Sequence, residues 1–385
     1  MSERKLRIAG ALVGDMQHDP NAIIKYGHFF EALHEHVALI EIFDANLYGA
    51  ERYLNALRTF YPDQQRWRER FYKNVRAFRQ RSRRAGRHFQ ALHGQIDAIL
   101  QVGVMFDARW YAQTPPSLIY VDYTAHLAAQ RPSAGRSPFT PKQRQEWLDL
   151  ERSTFLKASH ICTRSDMVRQ SIIQDYGIAP EKVTAIGGGV NLPQLPNIAS
   201  RRAATDAPTV LFIGKELYRK GGDILLEAFA QARQIVPDAR LKMLTIGSIP
   251  PHLPETGIEI ISPTWDRQEI TSLYNSADVF VLPSRLETWG DVLLEAMSFG
   301  LPCIGVTGQA MEEIIDHGSS GLLVQAENVA ALTDGLVRLL TDVDLRQQMG
   351  QQARLQAEKQ FTWSDVAERL SRCLRQIDLA GVREP

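Results

Sequence analysis

Residues 278–306 read DVFVLPSRLETWGDVLLEAMSFGLPCIGV. An apolar run over Val279–Leu282 is followed by a polar loop through Glu287. A stretch apolar nearly all round comes next, over Val292–Met297, and then a second apolar run ending at Val306. Uninterrupted apolar runs predict strands buried on both faces, and a helix between two of them predicts a parallel crossover. Outward from this unit the same alternation recurs. TVLFIG (209–214), RLKMLTIG (240–247) and IEIIS (258–262) precede it, and GLLV (321–324) follows. LRIAGALVG (6–14), HVALIEIF (36–43), DAILQVGVMF (97–106), SLIYVDY (117–123) and HICT (160–163) alternate with helical stretches such as Ile23 to His34 and Arg144 to Ala158. The fold class is α/β, with two Rossmann-like parallel-sheet domains and ligands expected at the carboxyl ends of the strands.

With 385 residues the chain is too long for one core and suits two domains. A composition 44% hydrophobic and 23% charged excludes a disordered or fibrous chain. The formal net charge of zero conceals a division. Residues 1–190 hold 26 basic against 19 acidic residues, and residues 191–385 hold 18 against 25. At the change, residues 191–208 carry Pro193, Pro196 and Pro208 with no apolar period, a linker signal. The expected organisation is therefore an N-terminal domain over 1–190, a linker over 191–208 and a C-terminal domain over 209–363.

Two constellations carry chemistry. FIGKELYRKGGDILLEAF (212–229) places Gly214 at a tight turn, then Lys215, Lys220 and a glycine pair before an amphipathic helix. Glycines, ammonium groups and a helix N-terminus suit an anion such as a diphosphate; the alternative is a solvated loop. Neither the P-loop nor the Gly-x-Gly-x-x-Gly spacing is present. In the second constellation Glu287 lies in the loop and Glu295 about two turns inside the helix, for a carboxylate separation of roughly 8–12 Å. That exceeds the roughly 5 Å of a retaining glycosidase pair, so a nucleophile and acid fit poorly. Two acceptors at this reach suit different hydroxyl-bearing parts of one extended ligand, with the amides of Thr288, Trp289 and Gly290 facing phosphate between them. The apolar neighbours of Glu295 predict that it is buried and partnered.

These residues resemble the retaining, nucleotide-sugar-dependent glycosyltransferases of family 4, of GT-B fold. The resemblance runs through Gly214 to Lys220-Gly221, through Pro283-Ser284 to Glu287 and Glu295, and through TGQAMEEIIDHGSSGLLV (307–324). It extends to SDMVRQSIIQDYGIAPEKVTAIGGGVN (165–191) and to FTWSDVAERLSRCLRQI (361–377), which looks like a terminal helix, about 364–385, crossing back to complete the N-terminal domain. It implies two Rossmann-like domains facing a cleft, a nucleotide-sugar donor and a sugar or lipid-linked acceptor. Lys220 matches the lysine on the donor diphosphate, and Lys215 stands where the family usually has arginine, so a fork becomes a point charge. Glu287 matches the glutamate facing the donor sugar and Glu295 the one on the ribose. Trp289 replaces a common phenylalanine, narrowing the sugar pocket, and Pro263 sits in the loop bordering the nucleobase. The base stays open between GDP-mannose and UDP-sugars.

The first half departs more from that pattern. Around the first strand the loop is GALVGDMQHD, so Gly10, Gly14 and Asp15 form the expected acceptor side. Where relatives carry a histidine after the strand LIYV, this chain has Asp122, with His126 four residues on. Each is a candidate from the N-terminal side. The alternatives are a helix cap shared by Asp122 with Thr124, and a surface histidine. Retention then proceeds with Lys215, Lys220 and helix amides stabilising the leaving diphosphate. No enzymic nucleophile and no Asp-x-Asp motif is visible, so the site is expected to need no metal and no cofactor beyond its co-substrate.

Residues 51–88 hold 12 Lys+Arg against three acidic residues, with Trp67, Phe71, Val75 and Phe78 at helical spacing. The readings are a core stripe with solvated arginines, a surface docking on anionic membrane, or an acidic acceptor site. No nucleic-acid motif accompanies the charge. Cys162, Cys303 and Cys373 lie far apart in the sequence, which reads as neither a disulfide framework nor a zinc cluster and places the chain in a reducing cytoplasm. The N-terminus is not a secretory signal. The reading from another class is an inactive nucleotide-sugar sensor or scaffold.

Overall fold

The computed structural model describes residues 4–130, 139–198, 207–246, 249 and 255–377. The sequence-based linker over 191–208 and the helix expected over 364–385 fall partly outside these residues. Two compact units appear: Met1–Gly187 with Trp363–Pro385, and Gly188–Thr362.

In the first unit, strands β1 (Arg7–Leu12), β2 (Ala38–Asp44), β3 (Ala98–Val102), β4 (Ser117–Val121), β5 (His160–Thr163) and β6 (Val183–Ala185) form one parallel sheet in the order β2-β1-β3-β4-β5-β6. The topological switch lies between β1 and β3. Helix α1 (Pro20–His36) starts cleanly because the Asp19 carboxylate caps the Asn21 amide and Pro20 occupies the first turn. Helices α2 (Gly49–Thr59), α3 (Gln64–Tyr72) and α4 (Val75–Ala91) follow β2; α5 (Ala125–Gln130), α6 (Pro141–Lys157) and α7 (Asp166–Gln174) follow β4 and β5.

The stripe Trp67, Phe71, Val75, Phe78 does not belong to one helix. Asn74 leaves helical geometry and its side chain accepts the Ala77 amide at 2.8 Å, so the chain stops and restarts there. Phe78 enters the core edge-on to Trp147, whereas Trp67 and Phe71 on α3 are half-buried. Among the described residues no helix is long and apolar enough to cross a membrane.

The second unit repeats the plan. Strands β7 (Thr209–Glu216), β8 (Arg240–Ile246), β9 (Ile258–Ile261), β10 (Val279–Val281), β11 (Cys303–Val306) and β12 (Gly321–Val324) are parallel in the order β12-β11-β10-β7-β8-β9. Helices α8 (Gly222–Ile235), α9 (Arg267–Asn275), α10 (Asp291–Ser298), α11 (Val329–Thr341) and α12 (Val343–Gln360) accompany the sheet. The order reverses between β7 and β10, so the loops leaving their carboxyl ends diverge and open a crevice there.

Helix α13 (Trp363–Gln376) belongs to the first unit. Its Trp363, Val366, Leu370 and Leu374 share a core with Phe29, Leu118 and Tyr120. The sequence separation of the cysteines proves misleading here. α13 brings Cys373 beside Cys162 and His160 of β5, the ligand atoms of all three lying within 4.8 Å of one another. All three cysteines are buried free thiols. Chain distance therefore did not keep two of the cysteines apart, because packing decides which side chains meet.

Candidate active site

Gly214 is not the tight turn that its position suggests. β7 continues through it to Glu216, with a register shift against β8 beyond Ile213. A Cβ on Gly214 would lie 2.9 Å from Lys220 and Phe212 atoms, so the position keeps the returning loop close. The tight turn falls at Gly221, which has φ 71° and caps α8. A Cβ there would lie 1.9 Å from the Pro283 carbonyl oxygen, so the loops after β7 and β10 touch backbone to backbone. The Arg285 amide, donating to the Arg219 carbonyl at 2.9 Å, closes the same junction.

Guanidinium groups lock it. Buried Arg219 donates to the Leu286 carbonyl at 3.2 Å and pairs with Glu216. Arg285 forks onto both oxygens of Asp223 at 2.8 Å, reaches Glu327 at 2.9 Å and lies over the Tyr218 ring. Burial works against its charge, but Asp223 and Glu327 hold the guanidinium pKa well above its ordinary value.

At the switch point the Lys220 ammonium meets the Glu287 carboxylate. Glu287 is buried, and three groups fix it. Its amide donates to Gln309 Oε1 at 2.9 Å, its carbonyl accepts the Ala310 amide at 3.2 Å, and Ser284 Oγ donates to its Oε2 at 3.4 Å. Lys215 points outward, its ammonium 3.9 Å from the Trp265 ring centroid. Pro263 sits half-buried between β9 and α9.

Beyond Glu287 the chain turns into α10 through Thr288, Trp289 and Gly290. Among the described residues, no hydrogen bond is recorded for the amides of these three. Successive free amides at the start of a helix are an anion cradle. The Trp289 ring itself turns into the core, packed against Phe361, so the expected narrowing of a sugar pocket by this ring is corrected. What Trp289 presents to the loop is its amide.

Glu295 is buried on α10, as its apolar neighbours require. Its partners come from α9, which the sequence did not reveal: Arg267 Nη1 at 3.3 Å and the Tyr274 hydroxyl at 3.0 Å. Arg267 also donates to the Asn191 carbonyl at 3.2 Å. Burial pushes the Glu295 carboxyl above its ordinary pKa, with Arg267 and Tyr274 opposing. Arg267 lies 28 residues away in the chain, and no local pattern signals that pairing. Gln309, in the quoted run TGQAMEEI, was visible but carried no periodicity to mark it.

The candidates in the first unit are more dispersed. Gly10 lies inside β1, where a Cβ would meet the Phe30 ring at 3.0 Å; it is a packing residue rather than an approach for an acceptor. Gly14 and Asp15 follow β1 at the β1/β3 switch, but the Gly14 amide donates to Asp44 at 3.1 Å. Asp15 accepts the Gln17 and His18 amides and pairs with the His18 ring at 2.9 Å, which holds its pKa below the usual range. Asp122 receives the Lys25 ammonium at 2.8 Å. At the start of α5, Thr124 Oγ1 accepts the Leu127 amide at 3.3 Å. His126 sits on α5 with its Nε2 3.4 Å from Asp175.

Residues 195–356 match the family described as glycosyl transferases group 1. The D-inositol 3-phosphate glycosyltransferase of Corynebacterium efficiens is 25% identical over 314 residues, covering 75% of this chain and 72% of that protein. The sucrose-phosphate synthase of Thermosynechococcus elongatus superposes with a TM-score of 0.70 at 17% identity, covering 98% of this chain and all of that one. Anabaena Alr3699/HepE, solved with UDP and glucose, gives 0.61 at 15% identity over 97% of this chain and 100% of that one. The fold is GT-B, and residues 195–356 are similar to the group 1 glycosyl transferases, in keeping with the resemblance to family 4.

Proposed function

We propose that this glycosyltransferase moves a hexose from a nucleoside-diphosphate sugar to a hydroxyl acceptor with retention of configuration. The observation that carries the reading is the meeting of Lys220 and Glu287 at the β7/β10 switch, beside the Thr288, Trp289 and Gly290 amides that open α10. When the donor binds, Lys220 exchanges its carboxylate partner for a diphosphate oxygen. The Thr288, Trp289 and Gly290 amides take others. Glu287, released, accepts from sugar hydroxyls, and Glu295, held by Arg267 and Tyr274, uses its remaining lone pairs on the ribose. Lys215 adds charge from the loop edge, and Pro263 borders the base.

The anomeric C–O bond breaks with its electrons going to the leaving diphosphate. The acceptor oxygen forms the new bond on the same face, and its proton passes to a phosphate oxygen. Ammonium groups and helix amides supply the positive charge in this scheme, so no metal is invoked. The UDP and glucose named with the Anabaena protein support a UDP-sugar donor, with GDP-mannose the alternative. The acceptor is a sugar or lipid-linked hydroxyl. Asp122 and His126 remain proposed contacts from the first unit, and the basic segment over 51–88 a peripheral contact with anionic membrane on the cytoplasmic side.

The test is a thermal-shift panel with UDP, GDP, ADP, TDP and CMP on the native protein and on Glu295→Ala and Lys220→Ala. A ligand at 100 times its dissociation constant adds about 2.7 kcal/mol. One diphosphate stabilising the native protein, and neither variant, supports the reading. No response to any nucleotide overturns it, and binding without turnover of any donor favours the sensor.

A further inference from the structure

β5 sends His160 and Cys162 to the same face of the first sheet, because side chains two apart on a strand share a face. α13 covers that face, with Leu370 and Leu374 in the same core as Cys162. Cys373, one residue before Leu374, brings its thiol to the pair, and each ligand atom stands within 4.8 Å of the other two. Metal–sulfur bonds of about 2.3 Å and metal–nitrogen bonds of about 2.0 Å, in tetrahedral or trigonal geometry, need ligand atoms roughly 3.5–4 Å apart. The ligand atoms, all within 4.8 Å of one another, stand close to that spacing. Cys162 is fully buried and Cys373 nearly so, while His160 is half-buried. Thr184 Oγ1, on the neighbouring strand β6, lies 3.0 Å from His160 Nε2 and positions the ring.

We propose that His160, Cys162 and Cys373 bind a thiophilic d10 cation, Zn2+ by ligand class, which clips α13 to β5. The chemistry suits the location. Two thiolates and one divalent cation sum to zero charge, which an apolar core tolerates, whereas separate thiolates there would be costly. Binding releases the two thiol protons, and a water would complete the coordination. Imidazole and thiolate together discriminate against Mg2+ and Ca2+, which take oxygen ligands. The site lies in the first unit and shares no residue with the donor-binding loops of the second, so it is structural and independent of the transfer reaction.

The experiment uses the full chain purified without chelator, with its metal content measured by mass spectrometry. It is then stripped and titrated with Co2+. The expected result is about one zinc per chain and, with Co2+, thiolate-to-metal charge-transfer bands that saturate at one equivalent. Cys373→Ser loses both the bound zinc and the bands. His160→Gln, at a half-buried position less exposed to folding failure, weakens Co2+ binding by at least about tenfold. Stripping lowers the melting temperature of the native protein and leaves that of Cys373→Ser unchanged. A metal-free protein with three titratable thiols and no Co2+ bands overturns the proposal. So does a protein in which Cys162 and Cys373 are found joined as a disulfide.

Discussion

Replacing Gly221 by alanine tests the junction on which the candidate site is built. At φ 71° an alanine pays about 1–2 kcal/mol for left-handed geometry. The same cost alone is expected at Gly318, also in the second unit, where φ is 84° and a Cβ meets nothing within 4 Å. At Gly221 the Cβ would also lie 1.9 Å from the Pro283 carbonyl oxygen, against the 3.4 Å or more of ordinary contact. Backbone on one side must move by over an ångström, a displacement in the class that costs about 1–3 kcal/mol. Gly221→Ala should therefore destabilise by about 2–5 kcal/mol and Gly318→Ala by about 1–2 kcal/mol. Urea-dependent amide hydrogen exchange of β7–β12 reads both changes in one unit. Because the shift moves either Lys220 or the Pro283–Glu287 loop, nucleotide affinity should fall in Gly221→Ala and hold in Gly318→Ala. Equal stabilities for the two variants, within about 0.5 kcal/mol, would refute the contact argument.

Glu151, buried on α6, accepts from the Tyr176 hydroxyl and the Ala125 amide, yet burial raises its pKa to about 7. A carboxyl raised in the folded state stabilises fully below its unfolded pKa and loses that contribution as pH climbs through about 7. Glu151→Gln should remove up to about 3 kcal/mol of pH dependence between pH 4.5 and 8, read from urea midpoints at each pH; an unchanged profile contradicts the assignment. Lys220→Met and Glu287→Gln should be non-additive in stability by about 1–3 kcal/mol, since each alone strands its partner in a largely buried setting. Additive single and double variants would show the pair to be uncoupled. Tyr274→Phe should cost about 1–3 kcal/mol by depriving buried Glu295 of a donor, with the loss growing as pH rises and the carboxylate, its pKa raised by burial, ionises. A loss independent of pH would separate the hydroxyl from the charge of Glu295.

The sheets were legible because parallel strands buried on both faces must be apolar at consecutive positions, as over Val279–Leu282 or Ala98–Val102. β6, three residues long, has too little run to register. Lys220, Glu287 and Glu295 were visible as charges stranded among glycines or apolar neighbours. Their meetings were not. Arg267 reaches Glu295 only because α9 and α10 pack together, and nothing local to either segment encodes it. Gly214 was misjudged for a related reason: both glycines read alike in sequence, and only the approach of Pro283 shows that the turn belongs to Gly221. Asn74, an ordinary polar residue in a helical stripe, broke that stripe through a side-chain bond that spacing cannot anticipate. The cluster of His160, Cys162 and Cys373 was hidden most completely, since its members lie 213 positions apart at the extremes.

The split of the first unit around the second has a consequence for synthesis on the ribosome. The sheet face bearing Phe29, Leu118, Tyr120 and Cys162 is made early, while the helix that shields it is encoded after residue 362. The contiguous unit, Gly188–Thr362, can complete its own core as it emerges. The earlier one waits through its entire translation with an oily face uncovered, at about 5–20 residues per second. Folding order therefore runs against chain order, and the interval in between is when the nascent chain most needs a chaperone.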